Sequence, residues 1–167
     1  MHPPEEFEVL VITLSDRASR GEYEDLSGPE ISRIIQRYFE SEKLLCSVTN
    51  VLIPDDAEEL REIIQVSGSG YDFIFTTGGT GIGPRDITVE TMRPLLTKEI
   101  PGIMDFIRIK YGSENPAALL SCGVAGLIGK TLVYTLPGSV KAVNEYMEEI
   151  LKSFWHMIYM LHGIDSH

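Results

Sequence analysis

The length, composition and charge of the chain exclude several broad classes of protein. Its 167 residues fit one domain, 1–167, and the apolar fraction of 43% is enough for a buried core. No apolar run approaches the roughly 18 residues that a membrane-spanning helix needs. The formal net charge of −11, from 25 acidic and 14 basic residues, argues against binding to nucleic acid or to an anionic membrane.

Two further features of the sequence predict a cytoplasmic protein. The start, residues 1–6, is polar and acidic, which is not the pattern of a secretory signal. The two cysteines, Cys46 and Cys122, form neither a disulfide framework nor a zinc-binding spacing, so both are predicted to be reduced thiols.

Apolar periodicity predicts alternating strands and helices. Runs rich in β-branched residues predict five strands, at 8–14, 45–53, 71–76, 124–128 and 131–136. Helical spacing predicts helices from Ser27, around Leu60–Ile64 and ending at 67–70, from Thr88, from Pro101, and over a long segment after residues 137–139. The turn at Gly129-Lys130 predicts a hairpin between the last two strands. The fold class is therefore α/β: three layers, with a mostly parallel sheet flanked by helices and a small antiparallel hairpin at its edge.

Two helix starts carry capping patterns. Ser27 and Glu30 form the S-x-x-E capping box, with Pro29 in the first turn. Either Asp55 or Asp56 is predicted to cap the helix that follows the second strand.

A glycine-rich loop at 77–86 follows the third strand and is the main functional signal. Its residues are Thr77, Gly78, Gly79, Thr80, Gly81, Ile82, Gly83, Pro84, Arg85 and Asp86. Glycines allow positive φ and close approach, so successive N–H groups can converge on phosphate oxygens. Because the net charge repels phosphates, a phosphate site here must rely on backbone amides, a few local cations or a metal.

Familiar alternatives for this loop fail on residue identity. The dinucleotide fingerprint requires glycine where Pro84 stands, and a Walker A loop requires Lys-Ser/Thr after Gly83. A simple tight turn needs only one or two glycines, so a ligand-binding loop is favoured.

Arg85 and Asp86 close the loop with opposite charges. Arg85 is predicted to clamp a phosphate with two hydrogen bonds. A carboxylate next to a phosphate site implies a bridging cation, so Asp86 is predicted to bind Mg²⁺. The alternative for Asp86 is an N-cap of the helix from Thr88.

An ordered set of motifs resembles the MogA/MoaB family of molybdenum-cofactor biosynthesis, which includes the G domains of gephyrin-like fusion proteins. The resemblance covers nearly the whole chain from about Val9. Its motifs are Ser15-Asp16-Arg17, Asp25 with Ser27-Gly28, Pro54-Asp55, the 77–86 loop, Leu120-Ser121, Ala125-Gly126 and Leu136-Pro137-Gly138-Ser139. Cys122 stands where many relatives have arginine, and Val140 stands where many have proline.

The resemblance implies a molybdopterin adenylyltransferase. This activity transfers AMP from ATP, with Mg²⁺, to the phosphate of molybdopterin and releases pyrophosphate. It implies that Asp55 and Asp86 are catalytic and that Gly78, Gly79, Thr80 and Gly81, with Thr77, hold the nucleotide phosphates.

The remaining site residues are assigned with alternatives left open. Ser15 and Asp16 are expected to hydrogen-bond the ligand, with Asp16 at the polar pterin edge, or else to serve as turn residues. Pro137, Gly138 and Ser139 are expected to bind an anion at a helix start, with Ser139 capping that helix as well. Ser121 is a weaker ligand candidate.

The second hypothesis is a non-catalytic protein that carries molybdopterin or its product. As in the relatives, a homo-oligomer is expected, with a trimer favoured over a hexamer. Molybdopterin and ATP are the expected ligands, and the molybdenum-insertion protein is a further candidate partner.

Overall fold

The computed structural model describes residues 4–67 and 70–164, and a six-stranded sheet runs through its centre. The strands are β1 (Glu6–Leu14), β2 (Leu45–Ile53), β3 (Phe73–Thr77), β4 (Lys98–Glu99), β5 (Ala125–Ile128) and β6 (Thr131–Leu136). Their order is β2-β1-β3-β6-β5-β4, and the first four are mutually parallel. The last two strands in that order run antiparallel to their neighbours, so the predicted mostly parallel sheet with an antiparallel hairpin is confirmed.

Helices cover both faces of the sheet. In the described ranges these are α1 (Asp16–Ser19), α2 (Ser27–Ser41), α3 (Ala57–Ser67), α4 (Thr88–Met92), α5 (Pro101–Gly112), α6 (Val140–Lys152) and α7 (Phe154–Leu161), with 3-10 turns at Arg93–Leu95 and Pro116–Leu120. Helices α2, α5, α6 and α7 pack on one face, and α3 and α4 pack on the other.

Strand β1 shows why both faces are covered. Phe7, Val9 and Val11 point into the larger core, which contains stacked aromatic rings, whereas Leu10 and Ile12 point into the smaller one. A strand with apolar side chains on both faces needs a helical layer on each side. The continuous apolar run seen in the sequence is therefore explained by the three-layer arrangement.

The connections around β1 create the crevice that matters for function. β1 lies between β2 and β3, so the chain moves to one side of β1 first and to the other side next. In open α/β sheets, ligands bind outside the carboxyl ends of the strands at this switch point. The ends concerned are Leu14 and Thr77.

The start of α2 differs from the predicted capping box. Ser27 is the first helical residue, and the capping acceptor is Asp25, whose Oδ1 accepts hydrogen bonds from the amides of Ser27 and Gly28, both at 3.1 Å. The other carboxylate oxygen, Oδ2, accepts from Thr13 Oγ1 at 2.6 Å. Asp25 therefore joins the helix to β1, which a local capping pattern could not show.

Other helix and strand boundaries also differ from those predicted. The predicted long last helix is divided at Ser153, whose amide and hydroxyl both donate to the Ile150 carbonyl and so end α6. This break lets Phe154, which is fully buried, enter the core. The loop after β1 contains the short helix α1, and β4 was not predicted. The predicted helix end at 67–70 includes residues 68–69, which lie outside the described residues, as do residues 1–3 of the acidic start.

Within the described ranges, none of the helices has the length and apolarity that a bilayer crossing would require.

Gly28 provides a test of the contact between α2 and β1. A Cβ at this position would lie 2.3 Å from Thr13 Oγ1 and 2.7 Å from Asp25 Oδ2. We expect Gly28→Ala to lower the free energy of unfolding by about 1–3 kcal/mol, as overpacking does, measured by urea denaturation. Gly102→Ala is the matched control: it is also in the first turn of a helix but has nothing within 4 Å, so it should be neutral or slightly stabilising. Equal effects of the two substitutions would contradict this account.

Candidate functional site

A cavity of about 490 Å³ lies outside the carboxyl ends of β1, β3 and β6. The 77–86 loop forms one wall, and the start of α6 and the 3-10 turn at Pro116–Leu120 form the other. The predicted site residues that line it are Ser15, Asp55, Gly78, Gly79, Thr80, Gly81, Arg85, Asp86, Ser121, Pro137, Gly138 and Ser139. The structure therefore brings together segments that are more than a hundred residues apart in the sequence.

Gly78 makes the floor of the cavity possible. Its φ is +96°, and a Cβ there would lie 2.3 Å from the Leu14 carbonyl oxygen. Its own Cα lies 3.3 Å from the Cβ position of Gly138. Only glycine allows three strand ends to come this close.

The loop leaves several backbone amides available to a ligand. Gly78 N donates to the Leu136 carbonyl, and Gly83 N donates to Asp86 Oδ2 at 2.8 Å. In contrast, no hydrogen bond between described residues uses the amides of Gly79, Thr80 or Gly81. All three residues line the cavity, so their N–H groups are candidates for the partial positive charge that an anion site requires.

The start of α6 supplies a second group of amides. Ser139 Oγ accepts from Ala142 N at 3.2 Å, so Ser139 caps the helix as predicted. No bond among the described residues uses the amides of Val140 and Lys141, and Lys141 also lines the cavity. A thirteen-residue helix therefore directs the positive end of its dipole at the cavity opposite the glycine loop.

Asp86 is held by the loop and not by the following helix. Helix α4 has no side-chain cap, so the N-cap alternative for Asp86 is wrong. Asp86 Oδ2 instead accepts from Gly83 N, and it lies 2.7 Å from the Cβ position of Gly81. Asp86 thus shapes the glycine loop while facing the cavity.

Asp55 does not cap a helix either. Asp56 caps α3 by accepting from the amides of Glu58 and Glu59, both at 2.9 Å, which settles the alternative that the sequence left open. Asp55 Oδ2 accepts from Asp16 N at 3.0 Å, while Asp55 Oδ1 lies 3.4 Å from the Cβ position of Gly79. One carboxylate oxygen is thus fixed, and the other is directed at the glycine loop.

Asp16 and Arg85 are paired with each other, which the sequence did not predict. Asp16 Oδ1 accepts from Asp55 N at 3.0 Å, and the Arg85 guanidinium binds both Asp16 oxygens at 2.9 Å. Asp16 does not line the cavity, so the expected contact with a pterin edge is corrected: its carboxylate is used within the protein. Arg85 lies at the rim of the cavity, but its guanidinium binds the Asp16 carboxylate instead of extending into open space.

The carboxyl groups of Asp16 and Asp55 have pKa values that are shifted in opposite directions. Hydrogen bonds from Arg85, followed by the Asp55 amide, lower the pKa of Asp16 below its ordinary value. Burial raises the pKa of Asp55, and the neighbouring Asp16 and Asp86 charges add to that rise against the opposing effect of the Asp16 amide and Arg85. Raised pKa values of carboxyl groups in clefts are typical of functional sites.

The carboxylates at the cavity suit Mg²⁺ that is also bound by substrate phosphates and waters. They do not form a cage that would hold a metal with protein side chains alone. In the part of the chain that the structure describes, no three His, Cys, Asp or Glu side chains cluster as a metal cage would. Mg²⁺ usually takes one or two carboxylates together with substrate phosphates and waters. Asp86 and Asp55, both lining the cavity beside free amides, supply this kind of set.

The hydroxyl residues divide into lining and buried positions. Ser15 lines the cavity, and its Oγ accepts from Ala18 N at 3.2 Å and lies 2.9 Å from the Tyr23 hydroxyl, so the alternative turn role is confirmed, while its contact with a ligand stays a prediction. Ser121 Oγ is buried and has no partner among the described residues. Thr77 requires a correction, because it is fully buried and donates to the Pro137 carbonyl, so it positions that segment and does not line the cavity.

Several lining residues were missed by sequence reasoning. They include Tyr23, Asn115, Glu145 and Tyr146. Asn115 had a usable signal, because Asn-Pro is typical of a turn start, and its side chain caps the 3-10 turn. Tyr23 had no such signal, since it lies in a polar segment without periodicity.

Comparison with known proteins agrees with the fold and the motifs. A family model described as "Probable molybdopterin binding domain" matches residues 10–156. The chain is 39% identical over 160 residues to a protein named molybdopterin adenylyltransferase from Pyrococcus furiosus, covering 93% of this chain and 91% of that protein. It is also 39% identical over 166 residues to gephyrin from Dictyostelium discoideum, covering 95% of this chain.

Some relatives are much longer than this chain. The chain spans 23% of the Dictyostelium gephyrin and 49% of a molybdenum cofactor biosynthesis bifunctional protein from Chlorobaculum tepidum. Among solved structures, the molybdopterin biosynthesis enzyme MoaB from Thermus thermophilus superposes with a TM-score of 0.82 at 34% identity, covering 94% of this chain and 97% of that one. The chain therefore belongs to the MogA/MoaB family of molybdopterin-binding-domain proteins.

Proposed function

We propose that this chain is a molybdopterin adenylyltransferase of molybdenum cofactor biosynthesis, which uses Mg-ATP, transfers AMP to the molybdopterin phosphate and releases pyrophosphate. One observation carries the proposal: two groups of unengaged backbone amides, at Gly79–Gly81 and at the start of α6, face a single cavity that also contains Asp55 and Asp86. A protein that only carried a pterin would not need two anion-binding walls and two carboxylates.

The chemistry needs little proton transfer. The nucleophile is an oxygen of the molybdopterin phosphate, which is already mostly a dianion near pH 7, because the second pKa of a phosphate monoester is about 6. It attacks the α-phosphorus of ATP; the new P–O bond forms as the bond to pyrophosphate breaks, and pyrophosphate leaves with that electron pair. The main difficulty is therefore to hold two polyanions in line.

The residues share this task by position. The amides of Gly79, Thr80 and Gly81 bind the nucleotide phosphates, and the amides at the start of α6 bind the phosphate of the acceptor. The resulting charge neutralisation comes from fixed dipoles, which need no reorganisation during the reaction.

Hydroxyl groups orient the acceptor. Ser121 lines the cavity, and its buried Oγ has no partner in the described ranges, so it is available if the side chain rotates towards a ligand. Ser15 also lines the cavity.

Asp86, with Asp55, would hold Mg²⁺, which when bound neutralises charge on the phosphates. The two carboxylates also keep the site geometry: Asp86 orders the glycine loop through Gly83, and Asp55 joins the end of β2 to the end of β1.

The remaining parts of the proposal concern the whole protein. We take residues 1–167 as one domain in the cytoplasm, where Cys46 and Cys122 are both free thiols, in keeping with a reducing compartment. The molybdenum-insertion protein stays a predicted partner that would receive the product.

The reaction class is tested by incubating the protein with molybdopterin, Mg²⁺ and ATP labelled at the α-phosphate. We expect the label to appear in a pterin product as pyrophosphate accumulates. If both ligands bind in calorimetry while all label stays in ATP, the proposal of catalysis is wrong and the carrier hypothesis replaces it.

Asp86→Asn tests the proposed role of the loop carboxylate. We expect pyrophosphate release to fall by at least about a hundredfold, as when one charge-stabilising group is removed from an active site, while the circular dichroism spectrum is unchanged. Glu90→Gln, which neutralises an exposed acid on α4 outside the cavity, should retain the wild-type rate. Wild-type turnover by Asp86→Asn would rule out this role.

Asp55→Asn tests the raised pKa of Asp55. Because the folded state raises this pKa, the associated stability is present below about pH 4 and is lost as the pH rises through the folded-state pKa. We therefore expect Asp55→Asn to be more stable than wild type at pH 7, with the difference shrinking as the pH falls towards 4, in urea titrations at both pH values. A pH-independent loss of stability would contradict the assignment.

We also propose a homotrimer, supported by apolar side chains on the outer face of α5. Phe106 and Ile109 are 54% and 69% exposed and share one side of the helix. Light scattering should give about three times the chain mass of 18.6 kDa. Phe106→Glu should reduce the mass to that of one chain, whereas Val66→Glu, at an exposed position on α3, should not. A monomeric wild-type protein would refute the proposal.

A further inference from the structure

Arg85 lies at the rim of the cavity, but its guanidinium is turned towards the protein. Nε donates to Asp16 Oδ2 and Nη2 donates to Asp16 Oδ1, both at 2.9 Å, which is the paired geometry of a strong arginine–carboxylate contact. The same Nη2 also donates to the backbone carbonyl of Asp55 at 2.8 Å. The side chain thus joins the glycine loop to the ends of β1 and β2.

Asp16 and Asp55 are joined by a reciprocal pair of hydrogen bonds. Each backbone amide donates to the carboxylate of the other residue, and both distances are 3.0 Å. Only Asp55 lines the cavity. Asp16 therefore affects the cavity through its hold on Asp55.

This arrangement fixes the direction of the Asp55 carboxylate. Its Oδ2 is bound by the Asp16 amide, which leaves Oδ1 directed at Gly79, 3.4 Å from that residue's Cβ position. The Asp55 backbone is held at its amide by Asp16 and at its carbonyl by Arg85. A small rotation of Asp55 would turn Oδ1 away from the glycine loop.

We propose that Arg85 is a positioning residue, which acts through Asp16 to keep Asp55 Oδ1 directed at the glycine loop, and that it is not a ligand of the substrate phosphates. The inference rests on the proposed adenylyl transfer. The physical reason is competition for one guanidinium. To bind a phosphate with the same atoms, Arg85 would have to release both Asp16 oxygens, so Asp16 would lose its paired cation and Asp55 a nearby positive charge.

A double-mutant cycle tests whether Arg85 acts through Asp16. We expect Arg85→Gln and Asp16→Asn each to lower kcat about tenfold or more, with the KM for Mg-ATP changed less than twofold. The double variant should be no worse than the more affected single variant, because both substitutions break the same contact. If Arg85→Gln raises the KM for Mg-ATP with kcat unchanged, and does so equally in the Asp16→Asn background, Arg85 is a phosphate ligand and the proposal is overturned.

Amide hydrogen exchange gives a second readout that does not depend on activity. We expect the Asp55 amide to exchange at least tenfold faster in Arg85→Gln than in wild type, because the Asp16 carboxylate that accepts its hydrogen bond is no longer held. Arg33→Gln is the control: it removes another paired arginine–carboxylate contact, with Glu30 at 2.7 Å, on the exposed side of α2 and away from the cavity.

The exchange experiment also separates the two proposals. If wild-type protein fails to transfer the labelled AMP, the proposed function falls, and the exchange rates still decide the role of Arg85. Unchanged protection of the Asp55 amide in Arg85→Gln would overturn the positioning role even in an active enzyme. We expect the melting temperatures of all variants to lie within a few degrees of wild type, because the Arg85 side chain is 64% exposed. Such melting temperatures would show that the effects do not come from unfolding.

Discussion

The site depends on the close packing of strand ends at Gly78. The Leu14 carbonyl, Gly78 and Gly138 belong to the ends of β1, β3 and β6, and their backbones pack so tightly that side chains at the two glycines would fill the gap. Because Gly78 turns with positive φ, the chain leaves β3 so that Gly79, Thr80 and Gly81 line the cavity. Because Gly138 touches Gly78, helix α6 starts on the opposite wall. One backbone contact thus sets the spacing between the two groups of amides.

The two groups of amides compensate for the negative net charge of the chain. With a net charge of −11, the protein repels the polyanions that it is proposed to bind, and the most prominent cation of the loop, Arg85, is paired with Asp16. Lys141 lies at the cavity but also lies 3.7 Å from Glu145. Local attraction therefore depends mainly on backbone dipoles, whose direction is fixed by the fold, whereas a mobile surface cation is screened by salt.

The sequence predicted the fold well, because the strands and helices follow from local patterns. β2 was predicted to the residue, and the loop after β3 was recognised from its glycines. Contacts between distant residues were beyond such patterns: Arg85 and Asp16 are 69 positions apart, and residue types alone do not show whether a guanidinium binds a ligand or a carboxylate of the protein. The break at Ser153 was missed because the apolar periodicity continues across it, and β4 was missed because two residues carry no pattern.

The reciprocal Asp16–Asp55 pair has a consequence for heat resistance. Asp55 stands just beyond the end of β2, which is an edge strand of the sheet in the described part of the chain and whose side chains are largely exposed. Exposed segments at the edge of a sheet open more easily than the core when a protein is warmed. Loss of that one strand end would remove Asp55 from the cavity while the aromatic core beneath α2 and α7 stayed intact. Catalytic capacity would then disappear at a lower temperature than the helical signal, and cooling would restore it without refolding of the core.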